Sequence, residues 1–120
     1  MSTRSNIGIR LREEDKNRDL NFHPGCVINT NKNYISVYCH FDGYPSHMLT
    51  ELENHFNTYE KALELVLHGD ISSIEDGVVD CYYDRGEDWE DLCPFETNNS
   101  NDCFDNSYCY IFENNKWTVL

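Results

Sequence analysis

The sequence predicts an α+β fold in which an antiparallel sheet carries a helix pair on one face. Several short segments alternate apolar and polar residues, the pattern of a half-buried strand. Two consecutive segments near the middle of the chain instead repeat apolar residues at helical spacing. Strand patterns flank this pair on both sides, which gives the order β-β-β-α-α-β-β-β. The length of 120 residues indicates a single domain over 1–120.

The first three strands are expected in the N-terminal third. Residues 5–11, SNIGIRL, have isoleucine or leucine at every second position, which predicts the first strand. Residues 12–24 are charged and polar and indicate a loop. A short apolar segment at 26–29 and a longer alternating segment at 34–41 follow. We expect these last two segments to pair as a hairpin.

The helix pair begins after the stretch Asp42-Gly43-Tyr44-Pro45. Gly43 tolerates the positive φ that many tight turns need, so the strand is expected to end there. Pro45 suits a first helical turn, because its missing N–H would be unpaired at that position anyway. Apolar stripes then predict helices at 46–56 and 59–68.

The C-terminal half mixes strand patterns with an acidic stretch. Residues 70–76 are expected to be a connector and residues 77–83 a strand. The stretch at 84–106 has no clear periodicity. Segments 107–113 and 116–120 flank two asparagines, which accept the positive φ of a hairpin turn, and predict a closing hairpin.

The charge of the chain is strongly negative and unevenly distributed. Nine Lys and Arg residues stand against 22 Asp and Glu, for a net charge of -13. The segment from Asp70 to Asp105 has 12 acidic residues, and Arg85 is its one basic residue. Direct binding to DNA or RNA is therefore not expected, because phosphate contacts need clustered Lys and Arg. A partner protein with a basic surface is favoured instead.

The acidic stretch contains the predicted partner-binding surface. A row of carboxylates can imitate a row of phosphates, and aromatic side chains are common interface anchors. Two further aromatic residues, Phe95 and Phe104, lie in the same stretch. The alternative is that these acidic loops only keep a small protein soluble. The predicted contact residues are Asp84, Glu87, Asp88, Trp89, Glu90 and Asp91.

The corner around Asp42-Gly43-Tyr44-Pro45 is the second candidate site. His40 is a possible general base or metal ligand, with Asp42 to orient it or to share a metal. Arg85 would either pair with a carboxylate or bind an anionic group near His40. The four residues of this candidate pocket are His40, Asp42, Tyr44 and Arg85. The alternative is that the corner serves only to turn the chain.

Catalytic and metal signatures are otherwise weak. The sequence has no phosphate-cradling Gly-rich loop, no G-x-S-x-G and no H-E-x-x-H, so an enzyme is not favoured and no cofactor is predicted. The six cysteines form no C-x-x-C pair and are expected to be reduced structural thiols. His47, Glu51 and His55 align at i, i+4 and i+8, and we expect a solvated helix face rather than a metal site.

The N-terminus has charges throughout and no apolar segment typical of a signal peptide. No apolar run approaches the roughly 20 residues that span a bilayer. The sequence therefore predicts a soluble cytoplasmic protein without membrane contact.

The motifs along the chain resemble those of a family of small, uncharacterised proteins of tailed phages and prophages. The matching stretches are YCHFDGYP at 38–45, GDISS at 69–73 and DRGE at 84–87. The departures are Phe41 where the family has Trp, and longer segments at 12–24 and 93–106. The resemblance implies a phage origin and the cytoplasm of an infected bacterium. Small phage proteins of this sort often bind and inhibit a host or anti-phage defence protein, so inhibition is the expected function.

Overall fold

A mixed seven-stranded sheet forms the centre of the fold. The computed structural model describes residues 2–103 and 105–120. The strands are β1 (Ser5–Arg10), β2 (Tyr34–Cys39), β3 (Ile71–Glu75), β4 (Val78–Cys81), β5 (Phe95–Thr97), β6 (Tyr108–Glu113) and β7 (Lys116–Val119). The helices are α1 (Pro45–His55), α2 (Tyr59–Val66) and α3 (Trp89–Leu92). The architecture is α+β, as predicted.

The sheet is not purely antiparallel. Its order is β4-β3-β2-β1-β6-β7, and β5 pairs with β2 beside β3. The β1–β2, β2–β5, β3–β4 and β6–β7 pairs are antiparallel, whereas β1–β6 and β2–β3 are parallel. The antiparallel prediction is therefore wrong in part. The parallel β1–β6 pair joins the two ends of the chain, and local alternation patterns contain no information about such distant partners.

The predicted hairpin between 26–29 and 34–41 does not form. Strand β2 pairs with β1 instead, with Ile9 opposite Ile35. Residues 26–29 make only an isolated bridge, between Leu20 and Ile28. The loop from 12 to 33 folds back on itself, so Leu20, Cys26 and Ile28 are buried without a full strand, whereas Phe22 and Val27 stay exposed.

Residues 70–76 contain a strand rather than only a connector. Strand β3 buries Ile71 and Ile74, and its pairing with β4 shifts register between Ile71 and Ser73. This irregularity places two isoleucines three positions apart in the core. The segment therefore lacks the strict alternation by which a strand is recognised.

The predicted helix pair is confirmed and packs on one face of the sheet. Helix α1 begins at Pro45, and the Thr58 side chain caps α2 by accepting a hydrogen bond from the Lys61 N–H at 3.2 Å. Trp117 of β7 donates from Nε1 to the Phe56 carbonyl at 3.1 Å, which ties the end of α1 to the sheet. The core between the helices and the sheet includes Ile7, Ile9, Ile35, Val37, Met48, Leu52, Ala62, Leu65, Val66, Tyr110 and Phe112.

The other face of the sheet carries a smaller buried cluster. It comprises Tyr34, Cys103, Cys109 and Ile111. Gly8 lies on this face, where an added Cβ would be 2.8 Å from the Ile111 Cδ1. Part of the acidic stretch, through Cys103, therefore covers the face opposite the helices.

None of the helices within residues 2–103 and 105–120 has the length and apolar character needed to cross a membrane.

We predict that Gly8→Ala destabilises the fold. The new methyl group would lie within 3.0 Å of the Ile35 carbonyl oxygen and the Ser36 Cβ as well as against Ile111. Overpacking of this kind typically costs about 1–3 kcal/mol. Urea unfolding followed by circular dichroism would measure the free energy of unfolding, and an unchanged value would show that this face has room for a side chain.

Candidate functional site

The Asp42-Gly43-Tyr44-Pro45 corner turns the chain from β2 into α1, as predicted, but its mechanism differs. Asp42, and not Gly43, takes the left-handed conformation, with φ of 56°. Gly43 is required by close packing instead, because an added Cβ would lie 2.7 Å from the Ser5 side chain. The Gly43 N–H donates to the Thr3 carbonyl at 2.8 Å, and the Tyr110 hydroxyl donates to the Gly43 carbonyl. The corner is therefore fixed against β1 and β6.

The four residues of the candidate pocket have separate partners. The His40 Nδ1 is hydrogen-bonded to the Tyr38 hydroxyl. Arg85 is exposed, donates to the Asp80 carboxylate at 2.6 Å and lies over the Tyr82 ring. Within residues 2–103 and 105–120, no hydrogen bond or ion pair joins any two of His40, Asp42, Tyr44 and Arg85. The proposed Arg85–carboxylate pair exists, but its partner is on β4 rather than at the corner.

Asp42 instead faces a histidine and a glutamate from two other elements. One ligand atom each of Asp42, His47 on α1 and Glu75 on β3 lie within 4.8 Å of one another. Asp42 and His47 are half-buried and Glu75 is exposed. Among the described residues this is the one group of three or more His, Cys, Asp or Glu side chains that converges in this way. We call it the corner triad.

The helical stripe of His47, Glu51 and His55 contacts the β3–β4 turn rather than solvent alone. The His47 Nε2 lies 2.8 Å from the Ile74 carbonyl oxygen. Glu51 accepts a hydrogen bond from the Gly77 N–H at 2.9 Å. The prediction of a solvated helix face is thus wrong for His47 and Glu51. Residues 70–76 were predicted as a connector, so the contacts of this stripe with β3 and its turn could not be foreseen.

The acidic stretch is an ordered segment with short elements of its own. A 3-10 turn at Tyr82–Arg85 leads through Gly86 to α3, and β5 and a second turn at Ser100–Cys103 follow. The six predicted contact residues lie together here. Asp84, Glu87, Asp88, Glu90 and Asp91 are exposed, and Trp89 is half-buried. Phe95 is 55% exposed, and Phe104 lies outside the described residues.

Trp89 anchors this segment to the end of α2. Gly69, with φ of 79°, lies so close that an added Cβ would be 2.7 Å from the Trp89 Cζ3 and from the Leu92 carbonyl. Leu92 of the same segment is buried, and its carbonyl accepts a hydrogen bond from the Asp70 N–H at 2.8 Å. The neighbouring carboxylates are therefore displayed on a fixed backbone.

His23 is a buried residue that the sequence analysis missed. It lies in the segment predicted as a polar loop, yet its ring packs against Tyr83 at 4.2 Å between centroids and against Trp89 at 5.8 Å. Its Nε2 donates to the His68 carbonyl at 3.0 Å. The only signal is the short His-Pro-Gly turn, which does not reveal what the imidazole contacts. His23 joins the long N-terminal loop to the anchor of the acidic segment.

Asp70 has a partly buried carboxyl group whose pKa is raised. Its Oδ1 accepts a hydrogen bond from the Tyr38 N–H at 2.9 Å, and its carbonyl accepts one from the Tyr82 N–H at 3.3 Å. Burial raises the pKa of Asp70 to about 6, although the hydrogen bond from Tyr38 lowers it. Asp70 thus connects β2 to the start of the acidic segment, and the partial burial of its carboxylate costs free energy.

Burial makes two of the cysteine thiols unreactive. All six are free thiols, and five of them are buried. Burial raises the pKa of Cys39 and of Cys109 to about 12. Since the thiolate is the reactive form, these two thiols are inert at neutral pH.

Comparisons of the chain with family models, with curated proteins and with solved structures give no match.

We predict that Asp70→Asn stabilises the protein at neutral pH. The pKa of Asp70 is about 6 in the folded state and about 3.9 in an unfolded chain. The folded state binds more protons between these values, so the free energy of unfolding falls as pH rises from about 4 to about 6. Asparagine keeps an acceptor for the Tyr38 N–H and carries no charge.

The expected gain is about 1–3 kcal/mol at pH 7.5 and close to zero at pH 3.5. Urea unfolding of both proteins across this range gives the difference curve, in which titration of other groups cancels. A flat difference curve would show that Asp70 has an ordinary pKa.

We predict that Gly69→Ala is more destabilising than Gly86→Ala. Both glycines have positive φ, 79° and 87°, so both substitutions strain the backbone by about the same amount. At Gly86 nothing lies within 4 Å of an added Cβ, whereas at Gly69 the methyl group would displace Trp89. Tryptophan fluorescence should change for Gly69→Ala only, and equal effects of the two substitutions on stability and fluorescence would contradict the anchor.

Proposed function

We propose that this chain is a small acidic phage-encoded protein that binds and inhibits a bacterial host or anti-phage defence protein in the cytoplasm of the infected cell. It acts there as a nucleic-acid mimic through its 84–105 surface. The phage origin is supported by the resemblance of the YCHFDGYP, GDISS and DRGE motifs. The mode of action is supported by one structural observation: the exposed carboxylates of residues 84–105 form no ion pair within the described part of the chain.

Eight acidic side chains of this surface are exposed. In the described part of the chain, no Lys, Arg or His nitrogen lies within 4.0 Å of any of them. By contrast, Asp80, which lies just before this surface, is paired with Arg85. The eight residues are Asp84, Glu87, Asp88, Glu90, Asp91, Glu96, Asp102 and Asp105.

The segment is also anchored, which favours recognition over simple solubility. Trp89, Leu92, Thr97 and Cys103 attach it to the body of the protein at intervals. A surface whose charges are already positioned loses less conformational entropy on binding than a disordered acidic tail. The exposed Phe95 adds an apolar contact of the kind that interfaces use.

Such a surface complements a basic nucleic-acid groove of an enzyme. The negative field of the 84–105 surface would steer the encounter and slow it at high salt. Occupying the groove excludes the nucleic acid, so inhibition needs no chemistry from this chain. The expected partner is therefore a protein, bound stoichiometrically and without a cofactor.

The second candidate function is a small enzyme or ligand-binding protein with a pocket at the Asp42-Gly43-Tyr44-Pro45 corner, where His40, Asp42, Tyr44 and Arg85 were predicted. The observation that favours it is the polar grouping at the corner, with His40 bonded to Tyr38 and Asp42 facing His47. A thermal-shift screen of nucleotides and metabolites, with His40→Ala as the control, tests it.

We predict that neutralising four carboxylates of the 84–105 surface weakens the salt-sensitive binding of a partner. The variant combines Glu87→Gln, Asp88→Asn, Glu90→Gln and Asp91→Asn. Each exposed ion pair lost costs about 0.2–1 kcal/mol, so affinity should fall between about fourfold and a thousandfold. The measurement is affinity capture from phage-host lysate at low and high salt, followed by titration of the purified partner.

The matched control removes four exposed carboxylates elsewhere that also form no ion pair within the described residues, by Asp19→Asn, Glu53→Gln, Glu64→Gln and Asp76→Asn. Both variants change the net charge equally, so a general charge effect would weaken them equally. The captured partner should also release this protein when duplex DNA or RNA is added. Mimicry is wrong if the first variant binds as tightly as the parent.

A further inference from the structure

We propose that the corner triad of Asp42, His47 and Glu75 binds a divalent transition-metal cation of the Zn²⁺ class. The three side chains come from the turn after β2, from the first part of α1 and from the end of β3. One ligand atom of each lies within 4.8 Å of the other two. This site is independent of the 84–105 surface and of its proposed role.

The donor set selects the kind of cation. One imidazole and two carboxylates are ligands that zinc accepts, whereas calcium and magnesium prefer oxygen ligands alone. Three protein ligands also leave a fourth position for water or another ligand. A transition metal with an open coordination position is therefore the cation that these residues fit.

The imidazole is held by a group outside the triad. His47 Nε2 lies 2.8 Å from the Ile74 carbonyl oxygen, which can only accept a hydrogen bond. The neutral ring consequently donates from Nε2, which is also the nitrogen that lies 4.0 Å from the Glu75 carboxylate. A metal ion at this ring would therefore use the lone pair on Nδ1, or Nε2 would have to leave the Ile74 carbonyl. Histidines that bind metals commonly donate their second nitrogen to a carbonyl in this way.

The carboxylates are available to a cation. Neither the Asp42 nor the Glu75 carboxylate receives a hydrogen bond from another described residue, and the Glu75 Oε1 lies 4.0 Å from His47 Nε2. The N-terminus of α1 contributes roughly half a positive charge nearby. Two carboxylates outweigh this charge, so the site is net negative.

A modest side-chain movement would complete the geometry. Ligands of a tetrahedral zinc ion lie about 3.4 Å apart, less than the 4.8 Å limit within which the three atoms lie. The Glu75 side chain is 66% exposed and is free to rotate, whereas His47 is 18% exposed and held by Ile74. Asp42 and His47 thus form the fixed part of the site and Glu75 the movable part.

The test is calorimetric titration of the chelator-treated protein with Zn²⁺ at pH 7.5. It is done in a Cys93→Ser background, because Cys93 is the exposed thiol and would bind zinc by itself. The variants are Asp42→Asn, His47→Gln and Glu75→Gln. Asparagine tolerates the positive φ of position 42, so Asp42→Asn should still fold. His55→Gln, an exposed histidine on the same helix, is the matched control.

We expect one saturable site that Asp42→Asn and His47→Gln each weaken at least about tenfold, with a smaller loss for Glu75→Gln. His55→Gln should leave the affinity unchanged. Zn²⁺ should raise the melting temperature of the parent, because it binds only the folded arrangement. This rise should vanish in Asp42→Asn, whose melting temperature without metal serves as the folding check.

Several results would overturn the proposal. One is the absence of saturable binding, and another is an affinity that survives both Asp42→Asn and His47→Gln. An equal loss in His55→Gln would assign the binding to surface histidines. Intense thiolate absorption on adding Co²⁺ would assign it to cysteines, and competition by Mg²⁺ at equal concentration would exclude a transition-metal site.

Discussion

The junction at Gly69-Asp70 is the contact on which the acidic half of the molecule depends. Gly69 leaves the space that the Trp89 ring fills, and the Asp70 backbone bonds to Leu92 and Tyr82 while its carboxylate bonds to β2. Two adjacent residues therefore join the end of α2, the central sheet and both ends of the segment around α3. Burial raises the pKa of Asp70 to about 6, so this junction forms against an electrostatic cost.

The two candidate binding regions, the 84–105 surface and the corner triad, differ in how their side chains are brought together. The 84–105 surface is built from exposed charges that the fold positions but does not neutralise. The corner triad is built from half-buried and exposed groups that three separate elements bring together. Binding at the first needs a large complementary surface, whereas binding at the second needs only a small cation. The two regions can therefore be tested by substitutions that do not overlap.

The sequence predicted the elements better than it predicted their partners. The helix pair, β1, β2 and the closing hairpin follow from local periodicity, and the turn into α1 follows from Pro45. Pairing of β1 with β6 does not, because the alternation in 5–11 is the same whichever strand lies beside it. Strand β3 was missed because its irregular register places Ile71 and Ile74 in the core without alternation.

The same limit applies to the sites. The charged surface could be predicted by counting acidic residues along the sequence, since these residues are close together in the chain. Each is exposed because a charged side chain is more stable in water. Asp42, His47 and Glu75 could not be predicted in this way, because Glu75 lies on the strand that was not recognised. His23 was missed for a related cause, as its contacts with Tyr83 and Trp89 cross about 60 residues of chain. Groups assembled from distant segments become visible only in three dimensions.

The central position of β1 and β6 has a consequence for synthesis on the ribosome. These two strands come from opposite ends of the chain and pair in the middle of the sheet. While a nascent chain still lacks residues 108–113, β1 has one unsatisfied edge and part of the core is open. Completion of the sheet therefore waits for a late, long-range contact between β1 and β6, and forming contacts of high sequence separation is slow. A chain that lacks β6 would leave β1, with Ile7 and Ile9, as an exposed edge strand, which favours aggregation.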